Sequence, residues 1–372
     1  MPKIRLAIGL VIVAGIALAI WFVSSFVSFT PPPIEQEEAV TPKSEIISAT
    51  LREFDNQGNL IWEIQAQRGE YRQDRRIADI EGVKGKFFDK GKLILEAQGK
   101  RGTINQTNQE ISIEGKVQGK VTKEDIDITC DKLQWSSPKD LIQATGKITF
   151  AQKKEGITVR GEKLEGKLSQ NTYTLTQKVI VTTTKPQLEA TSEAITWDVK
   201  SQKIISDTPI TARQPKEKRQ LTASQGTWDT KNQLVELSGK VEGTDTAMDV
   251  SIVTDKLQWH LKEQKVTLPN SFVVKSGSRA LTITAQTGTA LFKQQQIDLV
   301  GEVQAELQTD QATVSADRVN WQIPSQIVTA DGGVRYSRTA NNLRVRGDRA
   351  VANLEAQTVQ VTGTDVISEF TP

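Results

Sequence analysis

The sequence of 372 residues has little of what enzymes and metal proteins usually need. It contains one cysteine, Cys130, and one histidine, His260, so it offers no disulfide pair and no zinc site of the usual ligand spacing. It also lacks a glycine-rich phosphate loop followed by lysine, and a nucleophile elbow. We therefore predict no catalytic residue, no metal site, no cofactor and no enzymatic activity, and we interpret Cys130 as a small buried side chain.

Aromatic side chains are scarce, and neither sign of charge is in excess. Aromatic residues make up 5% of the chain, and 47 basic side chains stand against 45 acidic ones, for a formal net charge of +2. Because no basic run is interleaved with aromatic residues, we predict no nucleic-acid partner. Thr, Val, Ile, Gln and Gly are plentiful, which indicates half-buried strands joined by polar turns rather than one large globular core.

A long apolar run is present at the amino terminus. The 18 residues from Leu6 to Val23 include no polar side chain. As a helix they would rise about 27 Å, close to the thickness of the hydrocarbon core of a bilayer. Lys3 and Arg5 precede the run, and the next basic residue is Lys43, so the positive-inside rule predicts a cytoplasmic amino terminus with the remaining chain outside.

This pattern predicts three segments. Residues 1–29 form the cytoplasmic end, the transmembrane helix and an interface segment, residues 30–44 form a Pro-rich spacer, and residues 45–372 form the folded part. The alternative is a cleaved signal peptide, for which Ala17-Leu18-Ala19 offers a site of small residues. The apolar run continues past that site and an aromatic interface segment follows, which favours a retained anchor.

From residue 45 onwards the sequence repeats, and a nearly constant period indicates a repeat architecture. A small residue inside each strand-like run anchors one unit, and successive anchors are 33 residues apart once and 31 apart eight times. The anchors are Ala66, Gly99, Cys130, Gly161, Ser192, Ala223, Thr254, Ala285, Ala316 and Gly347. An apolar residue stands two positions before every anchor, a Trp stands five positions after five of them, and a Gly stands sixteen positions after seven of them. The chain therefore has about ten units of 31 residues.

Each unit reads as two strands joined by polar turns. In one unit Ile126, Ile128 and Cys130 alternate with polar residues at the two-residue period of a strand. The apolar pattern then jumps to Leu133 and Trp135, so its parity changes once, as it does at a β-bulge. We predict an all-β, elongated antiparallel sheet that bends once in each unit. A parallel solenoid with two strands per rung is the alternative.

The strands carry recurrent patterns such as LTASQGTW at residues 221–228 and LSGKV at residues 237–241. Together with the apolar helix and the Pro-rich spacer, this order resembles the LptC family of lipopolysaccharide-export proteins, and the strands are similar to LptA and OstA-type domains. The resemblance implies a β-taco or β-jellyroll, a bent antiparallel trough whose apolar interior shields the acyl chains of lipopolysaccharide. Because LptC usually has one modest domain after its helix, ten units imply an unusually long member.

The resemblance also implies a location and partners. The chain would be a single-pass protein of the inner membrane with its bulk in the periplasm. It would accept lipopolysaccharide from the ABC transporter of LptB, LptF and LptG, which supplies the energy. It would then pass the lipid on, by β-strand augmentation, to an LptA-like protein or to an LptD (OstA)-like protein of the outer membrane.

The inward columns supply the candidate lipid contacts. They are Ile64, Ile128, Trp135, Val159, Leu188, Trp197, Leu221, Trp228, Leu237, Ile252, Trp259, Ile283, Leu299, Val314, Trp321 and Val345. The same side chains could instead fill a dry core, and the Trp column could serve packing alone. An acidic residue often follows the anchor, as with Asp131, and we interpret this column as a solvated face rather than a calcium ladder.

Two other functions fit a repeat of this kind. A structural or adhesive rod of the cell envelope would need the repeat for its length only and would carry no lipid. A carbohydrate-active solenoid enzyme would need clustered carboxylates with basic partners on adjacent units, and no such cluster interrupts the repeat.

Overall fold

The computed structural model describes residues 45–370, except residues 56, 74, 123–124, 186, 215, 217, 248, 310 and 357. The predicted membrane helix and the Pro-rich spacer lie outside this range. Among the described residues, no helix has the length and apolar character needed to cross a bilayer.

The described chain is a succession of β-strands with one short 3₁₀ helix at Thr339–Asn341. The strands are β1 (Glu45–Phe54), β2 (Leu60–Tyr71), β3 (Ile77–Asp89), β4 (Lys92–Asn105), β5 (Glu110–Val121), β6 (Ile126–Ser136), β7 (Leu141–Gln152), β8 (Ile157–Lys167), β9 (Thr172–Thr184), β10 (Gln187–Asp198), β11 (Lys203–Ser206), β12 (Ile210–Gln214), β13 (Arg219–Ala223), β14 (Gln225–Asp229), β15 (Leu234–Asp245), β16 (Val250–His260), β17 (Lys265–Leu268), β18 (Phe272–Ser276), β19 (Leu281–Ala285), β20 (Thr287–Leu291), β21 (Gln296–Leu307), β22 (Ala312–Gln322), β23 (Ile327–Arg338), β24 (Leu343–Asn353), β25 (Thr358–Thr362) and β26 (Ile367–Phe370).

All 26 strands belong to one sheet, and the pairings between them are antiparallel. Each row of the sheet pairs with the next row along the chain, so the sheet is a meander. Some rows of the sheet are broken at the bend into two short strands: β11 with β12, β13 with β14, β17 with β18, β19 with β20, and β25 with β26. The antiparallel prediction is confirmed, and the parallel solenoid is excluded for the described residues.

The sheet bends at the predicted glycine column. In β7, Gly146 and Lys147 both have left-handed backbone conformations, with φ of +76° and +44°, and the pairing register with β8 shifts at this point. The Asp131 carboxylate of the neighbouring row lies over Gly146, so a Cβ atom there would collide with it. Glycine is needed because it alone adopts this conformation cheaply and leaves that space. Left-handed glycines recur at this height at Gly82, Gly115, Gly239, Gly301 and Gly332.

The bend divides the sheet into two walls whose apolar faces turn toward each other. We call the half that contains Trp135 and Trp197 the Trp wall, and the half that contains Ile128 and Ile283 the Ile wall. Phe87 of the Ile wall lies 5.0 Å, between ring centroids, from Trp135 of the Trp wall, although three rows separate them. The ring of Phe150 likewise meets Tyr173 and Trp197 across the fold, at 5.1 and 5.2 Å. In these contacts, a residue of the Ile wall packs against the Trp wall two or three rows further along.

Candidate functional site

The interior of the folded sheet changes character along the chain. In the column two residues before each anchor, Ile64, Ile128 and Val159 are 0%, 1% and 0% exposed. In the second half of the chain, every residue of this column is only half-buried: Leu221, Ile252, Ile283, Val314 and Val345. The same column is thus sealed in a core in one half and reached by solvent in the other.

The Trp column follows the same division. Trp135 and Trp197 are 5% and 1% exposed, whereas Trp228, Trp259 and Trp321 are half-buried. We call residues 60–206, from β2 to β11, the closed half, and residues 210–353, from β12 to β24, the open half. One continuous core runs from Ile61 to Ile204, and a separate, smaller one begins at Ala223.

The open half is a groove with a sealed floor. Small and aliphatic side chains next to the bend are buried, among them Ala223, Leu237, Leu257, Ala285 and Ala316. One step further up either wall, the apolar side chains are half-buried. Water therefore reaches the inner face of the walls but not the bend.

The reason for the opening is the composition of the Ile wall. In the closed half, Phe87 and Phe150 of this wall reach across to aromatic rings of the Trp wall. In the open half, the residues that take the position of Phe150, each paired with the column of Ile252 and Ile283, are the smaller Gly243, Val274 and Ala305, with an aromatic residue, Tyr336, only in the last of these rows. Shorter side chains fill less of the gap between the walls, and Trp259 of the opposite wall remains half-buried.

The groove is long enough for lipid chains. From β13 to β24 the open half contains nine rows of strands. At about 4.8 Å between neighbouring strands, these rows extend for roughly 40 Å. The hydrocarbon core of a bilayer, made of two opposed layers of acyl chains, is about 30 Å thick. An acyl chain lying lengthwise is therefore shorter than the groove.

An apolar ridge, which is not among the sequence-predicted contacts, follows the rim of the Trp wall in the open half. Phe292, Ile323 and Leu354 stand seven residues after successive anchors and are 47%, 39% and 49% exposed. Their backbone N–H groups donate to carbonyl groups of the preceding turn at 2.9–3.0 Å, which stacks the turns. At the same position in the closed half, Leu168 and Val199 are buried in the core. The signal was the 31-residue spacing of apolar residues within turns.

The structure sorts the sequence-predicted contacts into three groups. In the closed half, Ile64, Ile128, Trp135, Val159 and Trp197 are buried in the core. Leu237 is buried in the floor of the groove. The half-buried residues are Leu188, at the junction of the two halves, and Leu221, Trp228, Ile252, Trp259, Ile283, Leu299, Val314, Trp321 and Val345, which line the groove.

Side chains that could be reactive or bind metal elsewhere have structural roles here. Burial raises the pKa of the Cys130 thiol to about 12, so this thiol is neutral at physiological pH. The Asp348 carboxylate accepts hydrogen bonds from the backbone and hydroxyl of Thr364 at 2.9 Å, which lower its pKa. Glu162 forms an ion pair with Lys178. Across the part of the chain that the structure describes, no group of three His, Cys, Asp or Glu side chains could hold a metal ion.

Both ends of the described sheet have free edges. At the amino-terminal end β1 pairs only with β2, and at the other end β25 and β26 pair only with β24. Apolar side chains stand out at both edges, with Ile47 at 70% and Val359 at 67% exposure. An edge of this kind can accept a strand from another protein.

Comparisons with known proteins found one family match and a likeness to solved structures. Residues 10–184 match the family described as "Lipopolysaccharide-assembly, LptC-related". Among solved structures, the chain is similar to LptH from Pseudomonas aeruginosa, described as the LptA homologous periplasmic component of the conserved lipopolysaccharide transport device. The identity is 16%, the match covers 31% of this chain and 82% of that chain, and the TM-score is 0.28. No curated protein sequence matches the chain.

Proposed function

We propose, from the match of residues 10–184 to the LptC-related family, that the chain is an LptC-like protein that carries lipopolysaccharide across the periplasm with the acyl chains in the open half. The observation that supports this most is the half-buried apolar lining of residues 210–353, in which Ile252 and Ile283 are reached by solvent although the same column is sealed in the closed half. A filled structural rod would have no reason to leave that lining open.

The physical requirement of lipid transport agrees with this arrangement. An acyl chain that crosses water needs continuous shielding, because each exposed methylene costs about 0.8 kcal/mol. The column of half-buried residues recurs at every unit of the open half, so neighbouring apolar contacts are two rows, or roughly 10 Å, apart along the groove. A chain that slides along it exchanges one set of contacts for an equivalent one.

The proposed setting of the chain is the space between the inner and outer membranes. A helix within residues 1–29 anchors the chain in the inner membrane, and the spacer of residues 30–44 holds about ten repeat units in the periplasm. The transporter of LptB, LptF and LptG delivers the lipid and supplies the energy, so this chain needs no catalytic group. The free edge formed by β25 and β26 joins an LptA-like or LptD-like strand, and the exposed Val359 at that edge supports this assignment.

Site-specific crosslinking in cells tests the proposal. A photoreactive amino acid at Ile252 or Ile283 should capture lipopolysaccharide. The matched control is Lys275, which lies in a neighbouring row to Ile283 but is exposed on the outer face of the sheet. Equal capture at Lys275 and Ile283, or none at either, would contradict the proposal. No capture combined with normal lipopolysaccharide delivery after depletion would favour the structural rod.

A further inference from the structure

We propose that the apolar ridge of Phe292, Ile323 and Leu354 is a second acyl-chain track beside the groove, and that it makes the open half select lipids with several acyl chains over lipids with few. The inference rests on the proposed function, because it concerns which lipids the same groove holds. It assigns a specificity-determining role to the rim of the Trp wall.

The ridge side chains stand on the same side of the sheet as the Trp column. Ile323 follows the half-buried Trp321 by two residues, and Phe292 and Leu354 take the same position in their own units. Two residues along a strand return to the same face, so the ridge continues the lining of the groove up to the rim. The step from the Trp column to the ridge is about 6.7 Å.

The turns that carry the ridge have the same local geometry as turns of the closed half. In the closed half the N–H of Asn171 donates to the carbonyl of Leu168 at 3.3 Å, and in the open half the N–H of Gln295 donates to the carbonyl of Phe292 at 3.3 Å. Asn171 and Gln295 are both left-handed, with φ of +54° and +50°. Leu168 is 3% exposed and belongs to the core, whereas Phe292 is 47% exposed. The two positions therefore differ in what covers the side chain and not in how the turn is built.

The area and charge of the ridge indicate a hydrocarbon chain as its cover. The three side chains are 39–49% exposed. Because a large side chain such as Phe has about 150–250 Å² to bury, the ridge leaves roughly 250 Å² free. A stable protein interface needs about 800 Å² on each partner, so the ridge alone would not hold a second copy of the chain. The charged residues of the ridge turns, Lys293 and Glu355, balance each other, so the ridge does not attract an anionic bilayer surface.

The length of the ridge suits one acyl chain. Neighbouring ridge residues are two rows, or roughly 10 Å, apart, so the ridge from Phe292 to Leu354 extends for about 20 Å. One leaflet, which is half of the hydrocarbon core of a bilayer, is about 15 Å thick. An extended acyl chain is therefore long enough to contact two neighbouring ridge side chains.

A lipid with several acyl chains occupies both levels of the Trp wall. A chain at the height of Trp321 packs with its carbon atoms about 3.5–4.0 Å from the wall and from its neighbours. This distance is less than the step of about 6.7 Å to the ridge, so the ridge is left to a further chain that lies beside the first. A lipid with few chains fills the deeper level, where the lining is half-buried, and leaves the ridge exposed.

Equilibrium binding to the full-length protein in detergent tests this selection, with intact lipopolysaccharide and with the same lipid after mild alkali has removed its ester-linked chains. The variant Phe292→Ser, Ile323→Ser should bind the intact lipid about ten-fold more weakly than the wild type, because two neighbouring apolar contacts are lost. It should bind the alkali-treated lipid like the wild type. The matched control Val253→Ser, Val300→Ser removes side chains of 47% and 40% exposure from the outer face of the sheet, and should bind both lipids like the wild type.

Site-specific crosslinking separates the ridge from the groove. A photoreactive amino acid at Phe292 should capture the intact lipid but not the alkali-treated one, whereas one at Ile283 should capture both. Equal weakening of both lipids by the ridge variant, or no weakening of either, would overturn the second track. Conversion of a dimer to a monomer by the ridge variant would also overturn it, because a second copy would then be the cover. Failure of the wild type to bind either lipid, with no capture at Ile283, would instead overturn the proposed function.

Discussion

The difference between the closed and open halves predicts a large difference in the cost of one substitution. Ile128 and Ile283 occupy the same column of the repeat, and each can be replaced by alanine. Ile128 is 1% exposed, so its truncation loses the full transfer free energy and leaves a cavity, about 3 kcal/mol in total. Ile283 is half-buried and faces the groove, so its truncation loses part of the transfer term and leaves no enclosed cavity, about 1 kcal/mol.

Hydrogen exchange of the full-length protein in detergent measures this difference locally. A local readout is needed because stacked repeat units open in parts rather than all at once. At 1.4 kcal/mol per factor of ten, Ile128→Ala should speed exchange of the backbone N–H groups of β6 and β7 about 100-fold. Ile283→Ala should speed exchange in β19 and β21 about five-fold. Equal acceleration at the two sites would refute the reasoning, because it would mean that the second half is as tightly closed as the first.

Two further predictions concern the bend and the buried thiol. Gly146→Ala should destabilise the protein by about 2 kcal/mol in thermal unfolding, because its φ of +76° and the overlying Asp131 both oppose a Cβ atom. The control Gly91→Ala has a similar φ of +75° but open space around the Cβ position, and should cost about 1 kcal/mol. Equal costs for the two variants would contradict the steric contribution of Asp131. Because the pKa of Cys130 is raised to about 12, the folded thiol should not react with a disulfide reagent between pH 6 and 9. The stability that this neutral thiol contributes should fall as the pH rises from about 8.5 toward 12, because the unfolded thiol loses its proton first. Rapid labelling of the folded protein would show that the site opens.

The extent of the family match corresponds to the division of the structure. The match ends at residue 184, and the Ile wall opens from Leu188 onwards. The part that matches the LptC-related family therefore includes most of the closed half, and the open half follows it.

The strands, the antiparallel meander and the position of the bend could be predicted from the sequence because they depend on local features. Alternation at a period of two assigns the inward face, and the glycine column marks where a left-handed backbone is required, as at Gly146. The ridge that contains Phe292 also has a periodic signal.

Whether the two walls meet was decided by the tertiary structure alone. Ile128 and Ile283 have the same place in the repeat and similar neighbours in sequence, yet one is sealed and the other is reached by solvent. Closure depends on partners across the fold and two or three rows away, such as Phe150 with Trp197, which are 47 residues apart in the chain. A repeat determines which side chains point inward, but the volume of the side chains on the opposite wall determines whether they form a core or line a groove.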